Sequence, residues 1–168
     1  TVALTNGLIQ SFEATDLRFT NWVKTITKDS NSWYHAYKYK QRGPTSESKE
    51  YSIMFRLAEQ FLIRAEAKVK LEDVPGAVQD INTIRARAGL ISTTATGSEA
   101  VFYALLQERR HELFTELGHR WFDLKRTGKA DSYLGSIKSN WKSTAILLPI
   151  PESELILNPN LKPQNNGY

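Results

Sequence analysis

Residues 51–89, YSIMFRLAEQFLIRAEAKVKLEDVPGAVQDINTIRARAG, constrain this chain more than any other stretch. Met54, Ala58, Phe61, Leu62, Ala65 and Val69 follow the i, i+4, i+7 spacing of a helix with one buried face. The pattern stops at Glu72-Asp73, where Asp73 is placed to cap a second helix and Pro75 sits where its missing N–H costs little. A second periodic set at Ala77, Ile81, Ile84 and Ala88 ends at Gly89, a residue suited to a left-handed C-cap. Two amphipathic helices joined by so short a link form an antiparallel hairpin, and the alanines let them approach closely. The predicted fold class is therefore mainly α: tetratricopeptide-like helical hairpins, long irregular loops and an extended C-terminal tail. The Trp-x-x-Leu-Gly signature of a true tetratricopeptide unit is missing.

Before the hairpin, Leu4, Leu8, Ile9 and Phe12 are spaced for the stripe of a short helix, followed by a turn at 16–19. Residues 22–42 are polar but carry Trp22, Trp33, Tyr34, Tyr37 and Tyr39, and the Tyr37-Lys-Tyr39-Lys alternation suits a short strand or extended arm. Gly43-Pro44-Thr45-Ser46-Glu47-Ser48 has loop composition. After the hairpin, a Thr-rich loop over 91–97 leads to a third long helix capped by Thr96 or Ser98, with the stripe Phe102, Leu105, Leu106, Leu113 and Leu117. A shorter helix is expected over 119–126, then irregular chain anchored by Tyr133, Leu134, Ile137 and Trp141. Trp121 and Trp141 read as core or core edge. The run 145–150 is too short and too bounded by proline for a helix, and the tail from Asn158 to Tyr168 is expected to be extended on the surface.

With 168 residues the chain suits one domain spanning 1–168. It has no cysteine, which excludes disulfides, thiolate metal sites and a cysteine nucleophile within this segment. No apolar run reaches transmembrane length. The formal charge of +4 is mild and its basic residues are scattered among acids, so no nucleic-acid partner is expected.

Two Glu-x-x-His spacings, Glu108–His111 and Glu116–His119, resemble half of a di-iron ligand set, but both lie along one predicted helix among Arg109, Arg110 and Arg120. Such carboxylates pair with basic neighbours, and no metal or cofactor is expected. Thr115 stands where a zinc-protease motif starting at His111 needs its second histidine. The chain has neither a nucleophile elbow, a phosphate-cradling glycine loop nor a dinucleotide fingerprint, so it reads as a non-enzyme. Arg109, Glu112, Glu116, Arg120, Asp123 and Arg126 recur among Leu113, Phe114, Trp121 and Leu124, as a partly buried ion-pair network between two helices would. For binding, the flat side chains of Trp33, Tyr34, Tyr37 and Trp22 are the candidates, because aromatic faces are platforms for the apolar faces of sugar rings. Lys38, Lys40 and Arg42 lie beside them.

Taken together, several motifs resemble the RagB/SusD family of nutrient-binding proteins. Arg56-Leu-Ala-Glu-Gln-Phe-Leu-Ile-Arg-Ala-Glu-Ala67 with Ile81-Asn82 and Arg85-Ala-Arg87-Ala-Gly89 looks like its first signature. Glu108-Arg109, Glu112-Leu113, Glu116, Arg120-Trp-Phe-Asp123-Leu and Arg126-Thr-Gly128 look like the second. Leu148-Pro-Ile-Pro151-Glu, Asn158-Pro159 and Gln164-Asn165-Asn166-Gly167-Tyr168 match its C-terminal pattern, while Asp16-Leu-Arg18-Phe and Lys38-Tyr39 fit its approach to the first helix. Leu117, inserted between Glu116 and Gly118, and Asn166 in place of proline depart from the pattern. The resemblance implies an outer-membrane lipoprotein of the cell surface that holds polysaccharide or oligosaccharide, or sometimes peptide, for a TonB-dependent transporter. It implies no catalysis, and a lipid anchor outside this segment, which would then be the C-terminal portion of such a protein. It assigns an architectural role to the signature residues and leaves the ligand face to variable loops. The competing expectation is a helical scaffold whose only ligand is another protein.

Overall fold

The computed structural model describes residues 2–41, 43–44, 46–47 and 49–168. Arg42, Thr45 and Ser48, and with them part of the expected 43–48 loop, lie outside the described residues. The chain gathers into two compact units, Thr1–His119 and Arg120–Tyr168.

The first unit is built on three helices: α3 (Leu57–Lys70), α4 (Val74–Arg87) and α5 (Ser98–Glu112), numbered after the short α1 (Asn6–Ile9) and α2 (Leu17–Trp22) that precede them. The expected hairpin is α3–α4. Ala58, Leu62, Ala65 and Val69 of α3 and Ala77, Ile81 and Ile84 of α4 are buried together with Val101 and Leu105 of α5. Its periods are those read from the sequence, but its start is not. Tyr51 to Arg56 is non-helical and Met54 is 56% exposed. Arg56 stands in extended conformation (φ −127°, ψ 139°) because its side chain turns to a carboxylate cluster rather than into the helical stripe.

Asp73 caps α4 as the sequence predicts, its Oδ1 accepting the Gly76 N–H at 3.0 Å, and Pro75 lies in the first turn. Asp73→Ala is expected to cost about 1 kcal/mol, a Tm decrease of roughly 2–4 °C followed by thermal denaturation. At the other end Gly89 takes φ +75°, and Leu17 packs so closely on it that a Cβ there would stand 3.0 Å from the leucine side chain.

α5 differs from expectation at both ends. Its N-cap is Gly97 (φ +78°) with no side-chain cap, not Thr96 or Ser98. It stops at Glu112, and the chain then turns through left-handed Thr115 (φ +58°), Leu117 (φ +41°) and Gly118 (φ +75°). Leu117 is therefore 53% exposed rather than part of a buried stripe. Glu116 and His119 do not share the helix of Glu108 and His111, so the two Glu-x-x-His spacings do not lie along one helix as expected.

A second small core, Leu8, Val23 and Phe114 with Phe12, Phe19, Trp22 and Tyr34 around it, holds α1, α2 and a β-hairpin. The strand expected at Tyr37–Lys40 lies earlier: β1 (Val23–Lys28) pairs antiparallel with β2 (Asn31–Ala36). Asp29 (φ +49°) and Ser30 (φ +65°) form the two-residue turn, since paired left-handed residues give the twist that flanking strands need. α2 likewise occupies a region expected to be turn and loop, capped by Asp16.

In the second unit α6 (His119–Arg126) leads to α7 (Ala130–Ile137), where Leu124, Ala130 and Leu134 are buried among Trp121, Tyr133, Trp141 and Ile146. Trp121 and Trp141 meet edge to face at 6.3 Å, at the edge of this core as expected. A 3₁₀ turn at Ser143–Ile146 takes in the first two residues of the proline-bounded run, whose remainder is non-helical as expected, and α8 (Glu152–Leu157) follows it. The tail is not simply extended, since Pro159–Leu161 is a 3₁₀ turn. It then returns to the proline-bounded run, whose backbone polar groups need partners. Gln164 accepts the Ile150 N–H and donates to its carbonyl at 2.8 and 2.9 Å. Asn165 donates to the Leu148 carbonyl and the Tyr168 hydroxyl to that of Leu147. The closing motif is thus a clamp on the Leu-Pro-Ile-Pro segment.

Candidate functional site

The aromatic candidates are carried by α2 and the β-hairpin, and strand geometry separates them. Successive side chains point to opposite faces, so Tyr34 lies on the face of Val23 and Trp33 on the other. Tyr34 is half-buried against Phe19, ring centroids 5.9 Å apart, and belongs to the small core. Trp33 stands opposite Ile26 near the hairpin tip, and the two side chains are 46% and 41% exposed. Two adjacent apolar side chains left open to water make the one flat, accessible platform among the four candidates.

Tyr37 lies beyond the strand, half-buried, with the ammonium groups of Lys24 and Lys40 4.8 and 3.9 Å from its ring centroid. His35, edge-on to Tyr37, is buried and pairs through its backbone with Ala3. Trp22 is half-buried and capped by three cations, with Lys38 4.8 Å, Arg87 5.7 Å and Arg56 5.8 Å from its ring. The fold therefore does not gather Trp22, Trp33, Tyr34 and Tyr37 into one surface. Trp33 is exposed, whereas Trp22, Tyr34 and Tyr37 are half-buried.

Under Trp22 lies the charged cluster that organises the first unit. Arg18, buried on α2, donates from Nε to Asp16 Oδ1 at 2.9 Å, from Nη2 to Oδ2 at 2.8 Å, and from Nη1 to Glu108 Oε1 at 2.6 Å. Glu112, fully buried, accepts from Arg56 Nη1 at 2.6 Å and Arg87 Nη2 at 2.5 Å, and lies 3.4 Å from Arg18 Nη1. Arg56 also grips Glu116 through Nε at 3.0 Å and Nη2 at 3.2 Å, and Lys38 pairs with the same carboxylate. Arg85 bridges Glu13 at 2.8 Å to Glu108 at 3.4 Å.

Burial pushes the Glu112 carboxyl up, but hydrogen bonds from Arg87 and Arg56 outweigh it and hold the group below the usual carboxylate range. For Glu108 burial wins against Arg18 and Arg85, and its pKa is raised. Burial also lowers the Lys38 ammonium to about 8 despite Glu116. These acids are engaged by fixed cations, so the cluster is built to hold helices rather than to move protons. Among the described residues no group of three His, Asp or Glu side chains is arranged to hold a metal ion.

The six residues expected to form one network fall into separate groups. Glu112 and Glu116 take part, with Arg18, Lys38, Arg56 and Arg87 as their partners. Asp123 and Arg126 pair with each other at 2.7 Å on α6. Arg120 lies over the Tyr133 ring at 4.5 Å, its Nε buried without a hydrogen bond among the described residues. Arg109 is buried on α5. Arg18 and Lys38 are not legible in the sequence as partners of these acids, because no local periodicity ties them to residues 74–94 positions away.

A model described as the SusD family matches residues 18–168. The SusD-like protein P25 of Formosa agariphila is 32% identical over 96% of this chain, and SusD-like protein P38 of the same organism is 36% identical over 69%. The chain spans 31% and 24% of the length of those two relatives. Among solved structures, a SusD superfamily protein from Parabacteroides distasonis superposes on 99% of this chain with a TM-score of 0.79 at 28% identity, covering 42% of its own chain. Surface glycan-binding protein A from Bacteroides thetaiotaomicron shares the fold, with a TM-score of 0.68 at 24% identity over 98% of this chain and 41% of its own.

Proposed function

The chain belongs to the SusD family, and we propose that it serves as a non-catalytic glycan-binding element of the cell surface. The observation that carries the reading is the open Trp33–Ile26 platform on a hairpin whose base is fixed in a core. A sugar ring presents an apolar face to such a platform, and Lys24, two residues from Ile26 on the same strand face, supplies a donor for its hydroxyls. A structural neighbour that shares the fold is described as a surface glycan-binding protein. In the complete protein we assign delivery of the ligand to a TonB-dependent outer-membrane transporter, with attachment to the outer membrane through a lipid anchor outside this segment. No helix of the described residues is long and apolar enough to cross a membrane.

Affinity electrophoresis through gels containing amylopectin, xylan, mannan or laminarin tests the reading. Retardation by one polysaccharide is expected, and Trp33→Ala should weaken it about tenfold, as loss of one stacking platform does. Equal retardation of the variant removes the hairpin as the contact surface. A protein-only scaffold draws on a different observation: Tyr51, Ile53, Met54, Phe55 and Leu57 form an apolar run that is 54–84% exposed. Cross-linking to a transporter with no retardation in any gel would favour it.

A further inference from the structure

We propose that a groove at the start of α5 is a second subsite for a neutral saccharide, an inference that rests on the glycan-binding reading above. The groove is shallow and open to solvent and is lined by Thr94, Thr96, Ser98, Glu99, Ala100 and Tyr103, among others. It lies on a different element from the hairpin and uses different chemistry.

Tyr103 is the anchor. Val101 and Leu105 turn the opposite side of α5 into the core and are fully buried, while Tyr103 is 66% exposed and contributes nothing to that core. Its helical neighbours Ala100 and Ala104 also line the groove and are too small to cover the ring. A tyrosine leans toward the N-terminus of its helix, here over Ala100 and toward the hydroxyl-bearing loop. Thr94, Thr96 and Ser98 present exposed hydroxyls, each able to donate and to accept, as alternating sugar hydroxyls require. The first turn of α5 has no side-chain cap, so its N–H groups add donors at the same end.

Charge selects among saccharides. Glu99 is the one charged residue lining the groove. Standing in the first turn, it already answers the helix dipole, can accept from two ligand hydroxyls and repels a uronate or sulfate. The ligand class is therefore a neutral, hydroxyl-rich sugar stacked on Tyr103.

The test is an NMR titration of the isotope-labelled chain with maltohexaose, cellohexaose, xylohexaose and mannohexaose, with trigalacturonate as the acidic probe. One neutral hexaose is expected to shift the amides of Thr94 and of residues 96–100, while trigalacturonate leaves them in place. Tyr103→Ala should weaken that response about tenfold and leave the response around Trp33 intact, whereas Tyr103→Phe should retain it. Because Tyr103 is exposed on a helix and alanine is a good helix former, the variant keeps its fold, which the unperturbed core amides check. A hexaose that shifts amides only around Trp33 overturns the subsite and leaves the glycan reading standing. Silence at both surfaces across the panel overturns both, and preferential binding of trigalacturonate in the groove overturns the neutral assignment.

Discussion

Arg18→Met is expected to destabilise the protein by about 3–5 kcal/mol, the cost of breaking a buried charge cluster by removing one partner. Methionine matches the length and the apolar stem of arginine, so lost packing is a minor part of the effect. What remains is Asp16, Glu108 and Glu112 around one side chain, all buried and deprived of the guanidinium that joined them. Burial opposes the Arg18 charge, but Asp16 and Glu108 more than compensate and hold it protonated more firmly than an ordinary arginine. Urea denaturation at pH 7 measures the loss, and a Tm decrease of roughly 6–20 °C should accompany it. If stranded carboxylates are the cause, adding Glu108→Gln to Arg18→Met should recover part of the deficit, giving a favourable coupling in the double-mutant cycle. A loss below about 1 kcal/mol, or strict additivity, would mean that water re-enters and solvates the acids.

The same cluster shows what a sequence can and cannot disclose. The hairpin was legible because helical burial repeats locally: every apolar position from Ala58 to Ala88 that the period selected is buried or half-buried. The acids Glu112 and Glu116 were legible as charges among apolar neighbours. Their partners were not, because an ion pair between residues 18 and 108, or 56 and 112, has no period. The motif resemblance contains Arg18, Lys38, Arg56, Arg87, Glu108, Glu112 and Glu116 at separate positions. Folding brings them to one place, and this gives an architectural reason for signature residues scattered over a hundred positions. The end of α5 was misread for the opposite reason. Leu113 and Leu117 continue the apolar period, yet Thr115, Leu117 and Gly118 turn left-handed, and periodicity carries no information about φ.

At the candidate site the sequence names the aromatic residues but not their arrangement. Asp29-Ser30 carries a weaker turn signal than Asp-Gly, so the hairpin was hidden and its register unknown. Register decides everything here: a shift by one residue would bury Trp33 and expose Tyr34. Trp22 looked like Trp33 in sequence because the cations over it come from residues 38, 56 and 87.

Acidification from pH 6.5 to 4 is expected to withdraw up to about 3 kcal/mol of stability through His111 alone. Burial, reinforced by Arg18 and Arg110 against Asp16 and Glu13, holds its pKa down at about 4. In the unfolded chain the imidazole titrates near its ordinary value of about 6.5. Between those values the unfolded state binds the extra proton, so stability is fully present above pH 6.5 and falls as pH drops through the window. The hydrogen bonds around the ring explain why the folded state resists that proton. The Ser11 hydroxyl donates to the Leu8 carbonyl at 2.7 Å, so its oxygen can only accept from His111 Nε2 at 2.9 Å. A neutral ring with its proton on Nε2 meets that demand while it stacks on Phe12, centroids 4.7 Å apart. A second proton on Nδ1 would put a charge inside an aromatic core and beside two guanidinium groups. The measurement is urea denaturation at half-unit steps from pH 4 to 7, for the wild type and for His111→Gln, whose amide can still donate to Ser11. Carboxylates such as Glu112 titrate in both proteins and cancel in the difference. The wild-type curve should fall more steeply by most of the stated amount; parallel curves would mean that His111 is hydrated and titrates normally.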